Sequence, residues 1–203
     1  MAEEKSKCPV DHSKLNPWNM MPTLSQEKAE NQKTNLSTER TLSGIPKSSS
    51  TSERWEYPSP QQFYNALKRK SKEAPEENID MMVDIHNFLN EGSWQEILKW
   101  EKKYHCECED IGLLKFQGKP DQLSPKAWFF SAVYGTEKPF DRHDWTVDRC
   151  GKPVRYIIDY YGGVDGENAA SFNVDVRPAL DSPSAVFDRV RDGFSFLWDK
   201  AFK

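Results

Sequence analysis

The chain is 203 residues long, with a formal net charge of −4 and a sequence pI near 5.7. Its length supports one domain with a sizeable core, and its acidic balance excludes nucleic acid as the main partner, since neutralising phosphates takes a concentrated basic face. No apolar run reaches the ~20 residues that span a bilayer, so the protein is expected to be soluble or peripheral to a membrane.

The N-terminus mixes Glu3 and Glu4 with Lys5 and Lys7 and has neither an apolar signal core nor an Arg-rich presequence. Taken alone, that predicts the cytosol. Residues 1–22 carry two short motifs, Cys8-Pro9-Val10 and Asn16-Pro17-Trp18-Asn19-Met20-Met21-Pro22. Residues 23–53 are poor in aliphatics and include Ser48-Ser49-Ser50-Thr51-Ser52, which predicts a flexible polar linker. The tail is thus expected to be disordered, with the globular domain over residues 54–203.

That domain opens with helical punctuation. Ser59-Pro60-Gln61-Gln62 supplies an N-cap, a proline at the first helical position and a capping-box glutamine, with Phe63, Ala66 and Leu67 on one face and an end near Ser71. A second helix is expected over 77–89, where Ile79, Met82, Ile85, His86 and Leu89 fall at helical spacing and His86 reads as a satisfied core histidine in preference to an iron ligand. A third is expected to start at Ser93, with Glu96 closing its box, and to bury Trp94, Ile97, Leu98 and Tyr104. Trp100 falls on another face, open to surface contact or peripheral packing.

Past Cys108 the pattern changes to strands over 113–117, 127–134, 154–161 and 171–176, aromatic and β-branched between Gly or Pro turns. Neither face of 154–161 is wholly polar, so that strand is expected to be covered on both sides. Trp128, Phe129 and Phe130 read as core. Ser182 and Pro183 start a last amphipathic helix through Val186, Phe187, Val190, Phe194 and Leu197, which suits a membrane interface or core packing equally. The expected fold class is α+β: N-terminal helices, an antiparallel β-sheet in the second half, a C-terminal amphipathic helix and a disordered N-terminal tail.

The four cysteines, Cys8, Cys106, Cys108 and Cys150, are too few and scattered for a disulfide framework. Cys106-Glu107-Cys108 lacks the spacing of structural zinc and reads as a pair of turn cysteines, and Cys150 is expected to pack. The chemistry concentrates in Pro139-Phe140-Asp141-Arg142-His143-Asp144-Trp145. An imidazole held by a carboxylate is a good iron ligand, a guanidinium can pair with a ligand carboxylate, and an indole offers a flat apolar face. Together these suit haem, although the chain lacks the Cys-x-x-Cys-His signature that would hold it covalently.

This string stands in collinear order with others: the two N-terminal motifs, then Trp55-Glu56-Tyr57-Pro58-Ser59-Pro60-Gln61-Gln62, Leu98-Lys99-Trp100-Glu101, Asp148-Arg149-Cys150-Gly151 running into Val154-Arg155-Tyr156-Ile157-Ile158-Asp159-Tyr160-Tyr161, and Asp175-Val176-Arg177-Pro178-Ala179-Leu180-Asp181-Ser182. With them the chain resembles the mitochondrial cytochrome c-type haem lyases over nearly everything outside 23–53. The resemblance implies a carbon–sulfur lyase that joins the vinyl groups of haem b to the Cys-x-x-Cys-His thiols of apocytochrome c, cytochrome c1 or both, forming thioethers. It implies residence in the mitochondrial intermembrane space, peripheral on the inner membrane. His143 is then the catalytic residue and the iron (metal) ligand, with the substrate histidine on the other face of the haem. Asp141 or Asp144 orients the imidazole, Arg142, Arg149 and Arg155 are candidates for the propionates, and Trp145 stacks near the porphyrin. Cys8-Pro9 resembles a haem-regulatory dipeptide, and Trp94, Trp100 and Glu101 are candidate contacts for the partner protein. The competing readings are a haem-binding chaperone that forms no bond and a membrane scaffold whose histidine is structural.

Overall fold

In a computed structural model, which describes residues 24–47, 50–163 and 171–202, the strongest local signal is realised first. Helix α1 (Pro60–Arg69) begins with the capping box: Gln62 N–H donates to Ser59 Oγ at 3.2 Å and Ser59 N–H donates to the Gln62 side chain at 3.2 Å. Lys68 and Arg69 in its last turn favour the helix dipole. A 3₁₀ turn, Glu76–Asn78, leads into α2, Ile79–Tyr104, a single helix of 26 residues where two were expected. Ser93 starts no new helix. Its hydroxyl donates back to Leu89 O at 2.7 Å and lies 3.1 Å from Tyr160 Oη, so the residue is satisfied inside the helix.

The remaining elements are β1 (Leu42–Lys47), β2 (Ser50–Glu56), β3 (Ile111–Gly118), α3 (Pro125–Tyr134), β4 (Asp141–Arg149), β5 (Lys152–Gly162), β6 (Phe172–Pro178) and α4 (Pro183–Phe202). The strands form one sheet in the order β2-β1-β3-β4-β5-β6, antiparallel except where β1 meets β3. The architecture is therefore α+β. Cys150 and Gly151 adopt positive φ, 45° and 83°, which turns β4 directly into β5.

Four sequence expectations are corrected. Residues 24–47 are not a free linker: β1 and β2 close one end of the sheet, and Leu36 and Ile45 are buried. Backbone pairing and two well-placed aliphatics suffice, although the average composition is polar. The stretch 127–134 is helix, not strand, because Ser124 caps it through Ala127 N–H at 3.1 Å and Pro125 opens its first turn. Trp128, Phe129 and Phe130 are exposed, not core. Cys108 and Cys150 form a disulfide across a sequence separation of 42, pinning the exit of α2 to the β4–β5 turn, whereas Cys106 is free and exposed. The segment with Cys8 and Pro9 lies outside the described residues.

Two cores result. In the larger, Trp94 and Ile97 of α2 pack on Trp145, Val147, Tyr156, Ile158, Tyr160 and Val176 of the sheet. The smaller joins Leu36, Tyr64, Ile79 and Val83 where α1 meets the start of α2. On the sheet's opposite face, Arg177 donates to Asp159 Oδ2 at 2.5 Å, as does the Ser124 hydroxyl, so a buried ion pair seats the start of α3.

Opening the disulfide frees a long loop in the unfolded chain, so Cys150→Ser is expected to cost roughly 2–4 kcal/mol of stability under oxidising conditions. Denaturant titrations with and without reductant check this. Equal stability of wild type and variant without reductant would show that the link contributes nothing.

Candidate functional site

β4 alternates, and the alternation divides the Asp141–Trp145 string between two faces. Asp141, His143, Trp145, Val147 and Arg149 point toward α2, while Arg142 and Asp144 point to the other side. The His143 side chain is 16% exposed, and its Nε2 lies 3.2 Å from Asp141 Oδ2. Asp141 is thus the carboxylate beside this imidazole, and Asp144 lies on the other face of the strand. Burial works against the Asp141 charge, but the His143 ring and the Arg142 N–H outweigh it and hold the carboxyl below its ordinary range.

Three residues outside the predicted haem site surround this imidazole. Tyr160 packs edge-on at 5.4 Å between ring centroids, and His86 of α2 lies 6.4 Å away at an interplanar angle of 71°. Burial foremost, then the neighbouring His143, pushes His86 down to about 4, so it is a neutral imidazole. Phe63 covers its far side at 5.7 Å. Gly118 closes the flank: a Cβ built there would sit 3.4 Å from His143 Cδ2 and Nε2. Only the sheet register and the crossing of α2 unite these positions, so no sequence motif marks them. Among the described residues no group of three or more His, Cys, Asp and Glu side chains could hold a metal ion.

The remaining candidates lie elsewhere. Asp144 accepts from Lys119 Nζ at 2.7 Å, Arg142 Nη2 at 2.8 Å and Arg155 Nη1 at 2.7 Å, and Arg142 also donates to the carbonyls of Gln122 and Leu123. Arg142 is buried in this network, whereas the Arg155 side chain is 36% exposed and also pairs with Asp181. Arg149 makes a bidentate pair with Glu101 at 2.6 and 2.8 Å, and Tyr156 Oη–H donates to the same carboxylate at 2.6 Å. Trp145 is a core residue whose indole N–H finds no acceptor, not a surface for a planar ligand. Trp94 and Glu101 are buried, and Trp100 donates its indole N–H to Val176 O at 2.9 Å, so all three build the α2–sheet contact instead of a partner surface. A cavity of about 390 Å³ lined by Phe130, Tyr161, Asn173 and Asp175 opens on the sheet face away from His143.

Apolar surface gathers on two helices. Trp128, Phe129, Phe130, Val133 and Tyr134 of α3, and Val186, Phe187, Val190 and Phe194 of α4, are exposed. The other side of α4 is tied to α2 through His105 and Asp188 at 2.8 Å and through Lys103 and Tyr104 to Asp192 at 2.7 Å. No described helix is long and apolar enough to cross a membrane.

The family described as cytochrome c/c1 heme lyase matches residues 1–192. Holocytochrome-c synthase of Saccharomyces cerevisiae is 48% identical over 212 residues, covering 91% of this chain and 79% of that protein. Holocytochrome c-type synthase of Homo sapiens is 44% identical over 203 residues, covering 94% and 75%. A putative holocytochrome-c1 synthase of Schizosaccharomyces pombe is 41% identical over 189 residues, covering 88% and 86%. No solved structure matches.

Because Arg149 and Tyr156 both depend on Glu101, Glu101→Ala leaves a buried guanidinium unpaired and is expected to destabilise the fold by about 3–5 kcal/mol. Urea unfolding monitored by tryptophan fluorescence measures it. A loss below ~1 kcal/mol would show the pair to be effectively solvated.

Proposed function

The chain belongs to the cytochrome c/c1 haem lyase family, and we propose that His143 organises the reaction as the axial ligand of the iron of haem b. The activity is a carbon–sulfur lyase reaction, the attachment of haem to apocytochrome c, rather than non-enzymatic haem delivery. In each addition a cysteine thiol of the substrate forms a carbon–sulfur bond to one carbon of a vinyl group and a proton goes to the other. Nothing is oxidised, and no external energy source is needed. The work is positioning, and near-attack geometry can be worth ~7–11 kcal/mol.

One observation carries the assignment to His143: the Asp141 carboxylate lies 3.2 Å from its Nε2, placed to hold the ring in the way a metal-binding histidine is held. The histidine of the incoming Cys-x-x-Cys-His segment takes the opposite face of the haem and brings the adjacent thiols over the vinyls. Of the three arginines considered for the propionates, Arg142 and Arg149 are committed to buried pairs, and Arg155, though more exposed, pairs with Asp144 and Asp181 on the face away from His143. Cys8-Pro9 is read as a second, thiolate contact for ferric haem. The exposed aromatic faces of α3 and α4 favour peripheral contact with the mitochondrial inner membrane from the intermembrane space. Cytochrome c1 shares the substrate chemistry and is a further candidate.

His143→Ala is expected to strip most haem from the purified protein and abolish thioether formation, with imidazole partly rescuing His143→Gly. Haem occupancy by absorbance and haem staining of a denaturing gel test this, and normal values for both would refute the assignment.

Replacing the histidine of the substrate's Cys-x-x-Cys-His is expected to reduce covalent product far more than replacing one cysteine, since a single cysteine still forms one thioether while loss of the ligand misaligns both. Co-expression of each substrate with the enzyme in a host lacking other maturation machinery gives the comparison. Equal yields would remove iron ligation as the aligning device.

A further inference from the structure

His86 of α2 stands beside His143. Its ring centroid lies 6.4 Å from that of His143, with the planes at 71°. Two imidazoles bound to opposite sides of one metal have centroids roughly 6 Å apart, from two metal–nitrogen bonds of about 2 Å each plus the half-widths of the rings. The two histidines also stand on different bodies. His143 sits against Tyr160 of the larger core, and His86 against Phe63 beside the smaller one.

The two clusters share no buried residue, and this pair bridges their seam. From Leu89 onward α2 is fastened to the sheet by Leu89 itself, the bond from Gly44 N–H to Glu91, the Ser93–Tyr160 contact, Trp94, Ile97 and the Glu101–Arg149 pair. Before it, Ile79 and Val83 pack with Tyr64 of α1 instead. A body held by its own small core can tilt away from the sheet without unmaking the large one.

We propose that the seam between the two cores is the haem slot, with His143 and His86 ligating the iron from opposite walls until the substrate histidine displaces His86. This deepens the reading of His143 as a ligand and rests on it. In the exchange the iron–His86 bond breaks and the iron–substrate bond forms, so coordination number and charge balance, and haem is held securely before the peptide arrives. Its vinyls become addressable only once the peptide has supplied the replacement ligand.

The test uses the full chain loaded with ferric haem in the absence of substrate. The wild type should be six-coordinate low-spin, whereas His86→Ala should keep its haem but become five-coordinate high-spin and return to low-spin when imidazole is added. His86→Phe, which preserves ring packing against Phe63 without a ligating nitrogen, should behave like the alanine variant, and His86→Met should restore six-coordination. A peptide with serine in place of both cysteines of Cys-x-x-Cys-His should bind the haem-loaded His86→Ala protein at least tenfold more tightly than wild type, because no internal ligand opposes it. If both His86→Ala and His86→Phe keep the wild-type low-spin spectrum, or the wild type is itself five-coordinate, the inference is overturned. His143→Ala, run in parallel, separates the cases: haem loss there with unchanged His86 variants overturns only the slot, whereas haem retained with an unchanged spectrum overturns the ligand reading beneath it.

Discussion

The two-residue period of β4 is the constraint on which the site depends. Successive side chains of a strand leave it on opposite faces, so His143 shares a face with Asp141 and Trp145 and is separated from Arg142 and Asp144. The inner face takes the imidazole to α2 and the larger core. The outer face gathers Lys119, Arg142 and Arg155 around Asp144. Burial opposes the Asp144 charge, but the lysine and arginine contacts outweigh it and hold the carboxyl below its ordinary range.

Charge is also used deep inside the fold. Glu101 is wholly buried and receives Arg149 and Tyr156, and Arg177 and Ser124 converge on buried Asp159. Such pairs gain little over apolar packing, because desolvation offsets most of their attraction, yet either partner alone is costly. Their effect is to specify register. The first ties α2 to β4 and β5, and the second anchors the Ser124 cap at the start of α3.

Function follows from the division of labour among these parts. A large core and a disulfide hold the sheet and the second half of α2, so His143 and its carboxylate are carried on the most firmly packed region. The start of α2 and α1 rest on a separate small core, and the boundary between the two is lined by imidazoles and aromatic rings.

Local chemistry was legible in the sequence wherever it was local in space. The Ser59 capping box, the Ser182-Pro183 start of α4 and strands β3, β5 and β6 are written in neighbouring residues, and so is the prominence of His143 within a charged and aromatic string. What the sequence could not determine depends on register and crossing. Whether Asp141 or Asp144 serves His143 turns on strand alternation in a stretch not read as a strand. Cys108 meets Cys150 only because β4 returns along β3, and His86 reaches His143 only because α2 runs unbroken past Ser93. The aromatic run of α3 reads as core by composition and is exposed, the buried side of the helix being the Ser124 cap and Ala127. Sequence alone determined the types of the capped or strongly patterned elements, α1, α4 and strands β3, β5 and β6, and the chemical group at the centre, since propensity, capping and motif act over a few residues. The tertiary structure alone decided which side chains surround that group, since contacts between residues far apart in the chain exist only after the sheet has set their register.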